Sequence, residues 1–411
     1  MEWKLDFIQA LEELAGHKLR TLLTLLGMVF GVGAVIAMLS IGEGAEREAL
    51  KLIDAMGLRN VIVKGKPKSE QVLREVREDS MGLSLHDLEA IRETLPVLSG
   101  YAAIKTINTY AVFSHQATSD AVVKGVSPGY FSLGNHWPRE GRPLLAHDDV
   151  MFSHVCVLGG RAARDLFGQT SALGRKVKVN HLWLTVVGVL EEKKLEKAEF
   201  EGVKLSGSGN DIYLPIRTAL KKFRFKSLED QLDEVHVQVK PGVDAPMAAL
   251  TVSRLLDTRH RGVDDFELVV PQALLEQHRK TQRIFNIVMS CIAGISLLVG
   301  GIGIMNIMLA NSLERTREIG IRRAVGARRS DIRRLFMIEA ITIAVLGGLL
   351  GIFLGFAIAK AISVFSGWAV GWSMSAVLLS VGVCAGIGLV FGIFPAIKAA
   401  RLHPIEALRH D

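Results

Sequence analysis

The residues best equipped for chemistry in this 411-residue chain are arginines. Between Ser312 and Ala340 the sequence reads SLERTREIGIRRAVGARRSDIRRLFMIEA, with eight arginines, and it lies between two long apolar runs. Arginines beside apolar runs satisfy the positive-inside rule, and their charge alone justifies nothing more. Sets of residues that make or break bonds are scarce elsewhere. A GxSxG string occurs at Gly125, Ser127 and Gly129. The residue after its serine is Pro128, which has no N–H for an oxyanion hole, so the string reads as a turn. The nine histidines from His86 to His278 lack zinc spacing, and no metal site is expected. No GxxxxGK[ST] occurs, and the glycines of GGIGIMN sit in an apolar run with no preceding strand, so no phosphate cradle is expected either. Nothing here predicts a catalytic residue.

The elements around the arginines are legible. Glu318 and Arg322 stand four apart with the acid first, the better order for a helical ion pair. Ile321 and Val325 make a short apolar edge, Gly326 can close the helix, and Ser330 with Asp331 can open the next. A short helix, a glycine turn and a second helix running into an apolar segment are therefore predicted.

Composition places this segment in a membrane. Hydrophobic residues make up 49% of the chain and mean hydropathy is +0.30. Glycines number 40 while aromatics are only 6%, a balance suited to closely packed membrane helices. The net charge of +7 collects beside the apolar runs, which argues for topology and against nucleic acid. Of the three cysteines only Cys156 lies in the large polar region, so no disulfide is expected within it.

Taken in order, residues 1–20 form an amphipathic helix, with Trp3, Phe7, Leu11 and Leu14 on one face, suited to lie on a membrane surface. Four spans are predicted at residues 21–41, 284–310, 335–365 and 374–397, with the arginine loop at 311–334 and a tail at 398–411. Residues 42–281 alternate strand and helix patterns without a repeating wind, so an α+β domain stands between the first and second spans. Lys193 to Gly209 reads as a loop. GxxxG spacing marks Gly27 and Gly31, and Gly347, Gly351 and Gly355, as faces for close helix packing, within the subunit or at a dimer interface. Glu339 and Lys360 fall near opposite ends of the third span, where long side chains can reach water. The span centres look uncharged, which argues against ion coupling.

The arginine stretch closely resembles the cytoplasmic loop of the MacB/FtsX-like permease family of ABC transporters. GHKLRTLLTLLGMVFGVGAVIAMLSIGEGA resembles the family's first membrane segment, with His17 where asparagine is usual. GVSPGYFSLGNHWPREGRPLLAHDDVMFSHVCVLGGRAARDLFG and DIYLPIRTAL resemble its extracytoplasmic domain, and FPAIKAARLHPIEALRHD its C-terminus, with His403 in the usual place of aspartate. The resemblance implies a subdomain inserted at about residues 100–220. It further implies that the arginine stretch is a coupling helix that docks on a separate ABC ATPase, where ATP and magnesium would be bound. Glu314, Arg317, Glu318, Ile319, Ile321, Arg322 and Arg323 are then the expected contacts, with Ala324 and Gly326 shaping the turn.

A second permease chain, identical or related, is expected, and a periplasmic adaptor or lipoprotein is a further possible partner. Both termini would be cytoplasmic and the large domain outside the inner membrane. Export or release of an amphipathic substrate is the leading function. A transmembrane regulator of an extracytoplasmic enzyme and an ATP-independent receptor are the alternatives.

Overall fold

The computed structural model describes residues 18–115, 117–191, 199–200, 203–204, 209–366, 371 and 374–401. Nearly all of the expected interfacial helix, most of the 193–209 loop and the last ten residues lie outside these. In chain order the elements begin with α1 (Lys18–Met56), β1 (Asn60–Gly65), α2 (Glu70–Asp79), α3 (Leu85–Thr94), β2 (Leu98–Ile107), β3 (Val112–Phe113) and β4 (Val122–Val126). Next come α4 (Gly129–Leu133), β5 (Pro138–Gly141), α5 (Ala146–Val150), β6 (Val155–Leu158), α6 (Gly160–Phe167), β7 (Lys176–Val179) and β8 (Leu182–Leu190). The short strands β9 (Glu199–Phe200) and β10 (Val203–Lys204) precede β11 (Asp211–Pro215), α7 (Ile216–Lys222), β12 (Glu234–Val239), α8 (Ala245–Arg259) and β13 (Phe266–Val269). The chain continues through α9 (Pro271–Glu314), α10 (Thr316–Ala324), α11 (Arg329–Ser366) and α12 (Met374–Ala400).

These elements form two units, Ala49–His278 and the combination of Met1–Glu48 with Arg279–Asp411. In the first, eleven strands share one sheet in the order β13-β1-β12-β2-β4-β11-β6-β8-β7-β3, with β5 paired to β8. Most pairs are antiparallel; β11 with β4 and β6 with β8 are parallel. This is an α+β domain between the first and second apolar helices.

The two-residue side-chain period sorts the sheet's faces. Ala103, Val235 and Val237 look into one core with α3 and α8. A second core, drawn from Ile107 to Phe223, packs α6 and α7 on Cys156, Leu158, Ile212 and Leu214. On the opposite face Ala102, Ile104, Val157 and Tyr213 pack with Tyr130 and Phe131.

The β-patterned run Tyr101–Phe113 divides in two because β2 ladders with β12 and β4 whereas β3 crosses to β7. The Asn180 side chain secures that break, accepting from the Tyr110 N–H at 3.0 Å and donating to the Asn108 carbonyl at 3.0 Å. The same Asn180 turns the β7–β8 hairpin with φ +52°. Ser127 is buried and its Oγ accepts from the Ala103 N–H at 3.0 Å, so it braces a strand and offers no nucleophile.

Among the described residues four helices are long and apolar enough to cross a membrane: Leu25–Asp54, Pro271–Glu314, Arg329–Phe365 and Ala376–Ala400. They meet in one core that includes Met28, Val32, Leu297, Met308, Phe336, Ala340, Cys384 and Ala396. Glycine sets the helix separations. A Cβ on Gly27 would stand 3.1 Å from the Gly300 Cα, and one on Gly31 2.9 Å from Leu297, so α1 lies close on α9. On α11, Gly347 faces Met28, Gly351 faces Val32, and a Cβ on Gly355 would stand 2.7 Å from the Gly33 carbonyl oxygen. Both glycine faces are therefore occupied within the subunit. Across α11 and α12, Gly388 and Gly392 admit Ala344 and Ala340.

Candidate functional site

The arginine stretch folds into a corner between α9 and α11. Thr316 opens α10 by donating its hydroxyl back to the Leu313 carbonyl at 2.7 Å. Ten residues on, the Gly326 N–H bonds the Arg323 carbonyl at 3.2 Å and the Ala327 N–H bonds the Arg322 carbonyl at 3.0 Å. This double closure needs a left-handed residue, and Gly326 supplies it with φ +113°. The next helix starts at Arg329, where Asp331 accepts from the Arg328 N–H at 2.9 Å; Asp331 thus caps from inside the first turn.

Charge pairing fixes the polar side chains of the corner. Glu318 accepts from Arg315 at 2.8 and 3.2 Å and pairs with Arg322 at 2.7 Å. Its fork onto Arg315, helped by the charge of Arg322, holds its carboxyl below the usual range and keeps it ionised. Arg323 turns inward and donates to the Ala400 carbonyl at 3.0 Å, tying α10 to the end of α12. Arg317 and Glu314 are exposed, as are Ala324 and Gly326.

The two isoleucines part company. Ile319 is 3% exposed and belongs to the core of the membrane unit, so it is not available to fill a partner's groove. Ile321 is 48% and Val325 84% exposed, and with Arg322, Ala327, Arg334 and Leu335 they line a cavity of about 560 Å³. Val325 and Leu335 extend the predicted contact set. The former was visible as an apolar neighbour of Ile321 at i+4, but Leu335 reads as the start of a span.

Glu339 differs from its sequence reading. It is 4% exposed, and instead of reaching water it accepts from Asn311 Nδ2 at 3.2 Å and lies 3.7 Å from Arg315 Nη1. Nothing in the spacing of Arg315 and Glu339 on two different helices announces that pair.

The sheet domain has a charged cleft of about 740 Å³ between α2, β2 and the loop before β12. Within it Lys105 bonds Asp233 at 2.7 Å and Arg77 pairs with Asp230. Such pairing holds loops together and makes no acid–base set.

Comparison with known proteins agrees with this geometry. Residues 21–255 match the MacB-like periplasmic core domain, and residues 290–404 match the FtsX-like permease C-terminal region. The chain belongs to the MacB/FtsX-like permease family. Among curated proteins, this permease is 35% identical over 415 positions to the macrolide export ATP-binding/permease protein MacB of Bdellovibrio bacteriovorus, covering 98% of the chain and 61% of that protein. With the MacB protein of Pasteurella multocida the identity is 33% over 407 positions, covering 98% and 60%. The permease thus spans about three fifths of the length of the curated relatives it matches. Its fold also aligns with the periplasmic region of MacB from Actinobacillus actinomycetemcomitans, at 17% identity and a TM-score of 0.45, over 56% of this chain and 96% of that one.

Proposed function

We propose that this permease is the membrane subunit of an ABC exporter, and that its α10 corner is the docking surface for a separate ABC ATPase. The observation that carries the reading is the division of α10 into two faces. Ile319 and Arg323 hold one face in the subunit, while Ile321 and Val325 present an apolar edge beside the exposed arginines. A small apolar anchor ringed by arginine is the composition of an interface centre. No GxxxxGK[ST] string occurs among these 411 residues, and in this proposal ATP and magnesium are held by the ATPase that docks on the corner.

The exposed arginines of the corner also support an orientation. By the positive-inside rule this corner and both termini face the cytoplasm, and the sheet domain lies outside the inner membrane. Four spans make a narrow conduit, so two permease chains act together. Closure of the ATPases would move the corner, and the helices would carry that motion to the outer domain. The relatives' names, export and macrolide export, support an amphipathic substrate.

The test is purification of the chain from its native host in mild detergent, with identification of every co-purifying protein. A stoichiometric ATPase is expected. Its absence after crosslinking would remove the docking assignment and bring forward a receptor role. An adaptor or lipoprotein in the same preparation would separate efflux from release.

A further inference from the structure

We propose that Glu339 is a positioning residue that fastens the docking corner to the membrane helices, a role that rests on the docking reading only for its use. Its carboxylate sits on α11 and is 4% exposed, one residue before Ala340 in the unit's core. Asn311, near the end of α9, donates to one oxygen at 3.2 Å. Arg315, the residue between α9 and α10, faces the other at 3.7 Å. Two helices and the joint that opens a third therefore converge on one buried charge.

A buried acid in an apolar bundle often marks an ion or proton path. Here the counter-charge is supplied by Arg315, and removal of one partner from a buried pair leaves an uncompensated charge. Movement of Arg315 to solvent would separate this charge pair. The same guanidinium forks onto Glu318, and Glu318 in turn holds Arg322 beside the exposed apolar edge. The chain Glu339–Arg315–Glu318–Arg322 runs without interruption from the bundle interior to the proposed contact surface. It holds α10 in place and would pass displacement of α10 to α9 and α11 together.

The test uses limited trypsin digestion of the purified full-length chain in detergent, with cleavage after Arg328 and Arg329 quantified by mass spectrometry against a site in the sheet domain. Glu339→Gln should raise cleavage at the corner about ten-fold relative to that reference, because local opening no longer separates a charge pair. Arg315→Gln should do the same, and it stands in if the first variant fails to insert.

Thr342→Val, a buried neighbour whose hydroxyl bonds only its own helix at Ile338, serves as the control for general loosening. Equal acceleration in that control, or slow cleavage in both Gln variants, would overturn the proposal. ATPase recovery in the same preparations is independent. A wild-type chain without ATPase overturns docking and leaves the Glu339 fastening intact, whereas slow cleavage in the Gln variants does the reverse.

Discussion

Ile319 and Ile321 lie two residues apart on one short helix, and the first is buried among the membrane helices while the second is half open to solvent. A spacing of two turns a helix by more than half a revolution, so the two cannot share a face. One seats the helix and the other is left for a partner.

Docking can be tested on the outward side alone. Ile321→Asp with Val325→Asp should weaken ATPase recovery by about 2 kcal/mol or more, the loss typical of an interface anchor. Membrane insertion and the melting temperature should stay near wild type, because both side chains are exposed. Undiminished recovery of the ATPase in pull-downs would move the contact elsewhere.

Arginine reversal divides in the same way. Arg322→Glu should reduce ATPase association, because it also sets a like charge beside Glu318. Arg323→Glu should act first on folding, since the guanidinium is spent on the Ala400 carbonyl. Thermal unfolding in detergent separates the two: a lower Tm is expected for Arg323→Glu and little change for Arg322→Glu.

Glycine substitutions should sort by what each Cβ would strike. Gly351→Ala brings a methyl to 2.7 Å from the Val32 Cβ and 2.9 Å from the Val29 carbonyl, and should cost about 1–3 kcal/mol through overpacking. Gly382→Ala meets nothing within 4 Å and should be neutral or slightly stabilising through helix propensity. Equal melting temperatures for the two variants would contradict the close approach of α1 and α11.

The sheet domain has its own pH signature. His260 is buried between Asp265, at 2.7 Å, and Asp87, at 3.5 Å. Burial alone would lower its pKa, but the hydrogen bonds to the two carboxylates outweigh it and raise it to about 9. A histidine raised above its ordinary 6.5 stabilises the fold fully below about pH 6.5, and that contribution is lost as pH rises through about 9. Burial likewise opposes the ionised form of Asp265, yet the bonds from His260 and Ser80 hold its pKa below the usual range, so acid removes its share. Chemical unfolding of the full chain, followed by near-ultraviolet circular dichroism between pH 6 and 10, should show a fall on the order of 3 kcal/mol that His260→Gln abolishes. A flat profile in the wild type would exclude the charged cluster.

Local chemistry explains how far the sequence could be read. Gly326 had to close a helix because charged and apolar periodicity stopped there, and the backbone adopts φ +113° at that point. Strands such as Val155–Leu158 and helices such as Gly160–Phe167 follow from period and capping alone. The α2 helix was missed because its apolar residues are few among charges: EQVLREVRED offers Val72, Leu73 and Val76, and Val72 is 43% exposed. At the candidate site, periodicity identified the helix but could not say which of its isoleucines faced inward. That depends on where α11 and α12 pass, and the pairing of Arg315 with Glu339 depends on the same tertiary fact.

The eleven-stranded sheet carries a further consequence. Its strand path leaves the first core at β2 and enters the second through β4 and β11 with no gap in the backbone ladder. Two lobes joined by a linker would bend at the joint and dissipate a push. Here each lobe is welded to the next by rows of peptide hydrogen bonds, which stretch little. From the β13 margin to β3 the two cores are therefore spanned by one backbone ladder.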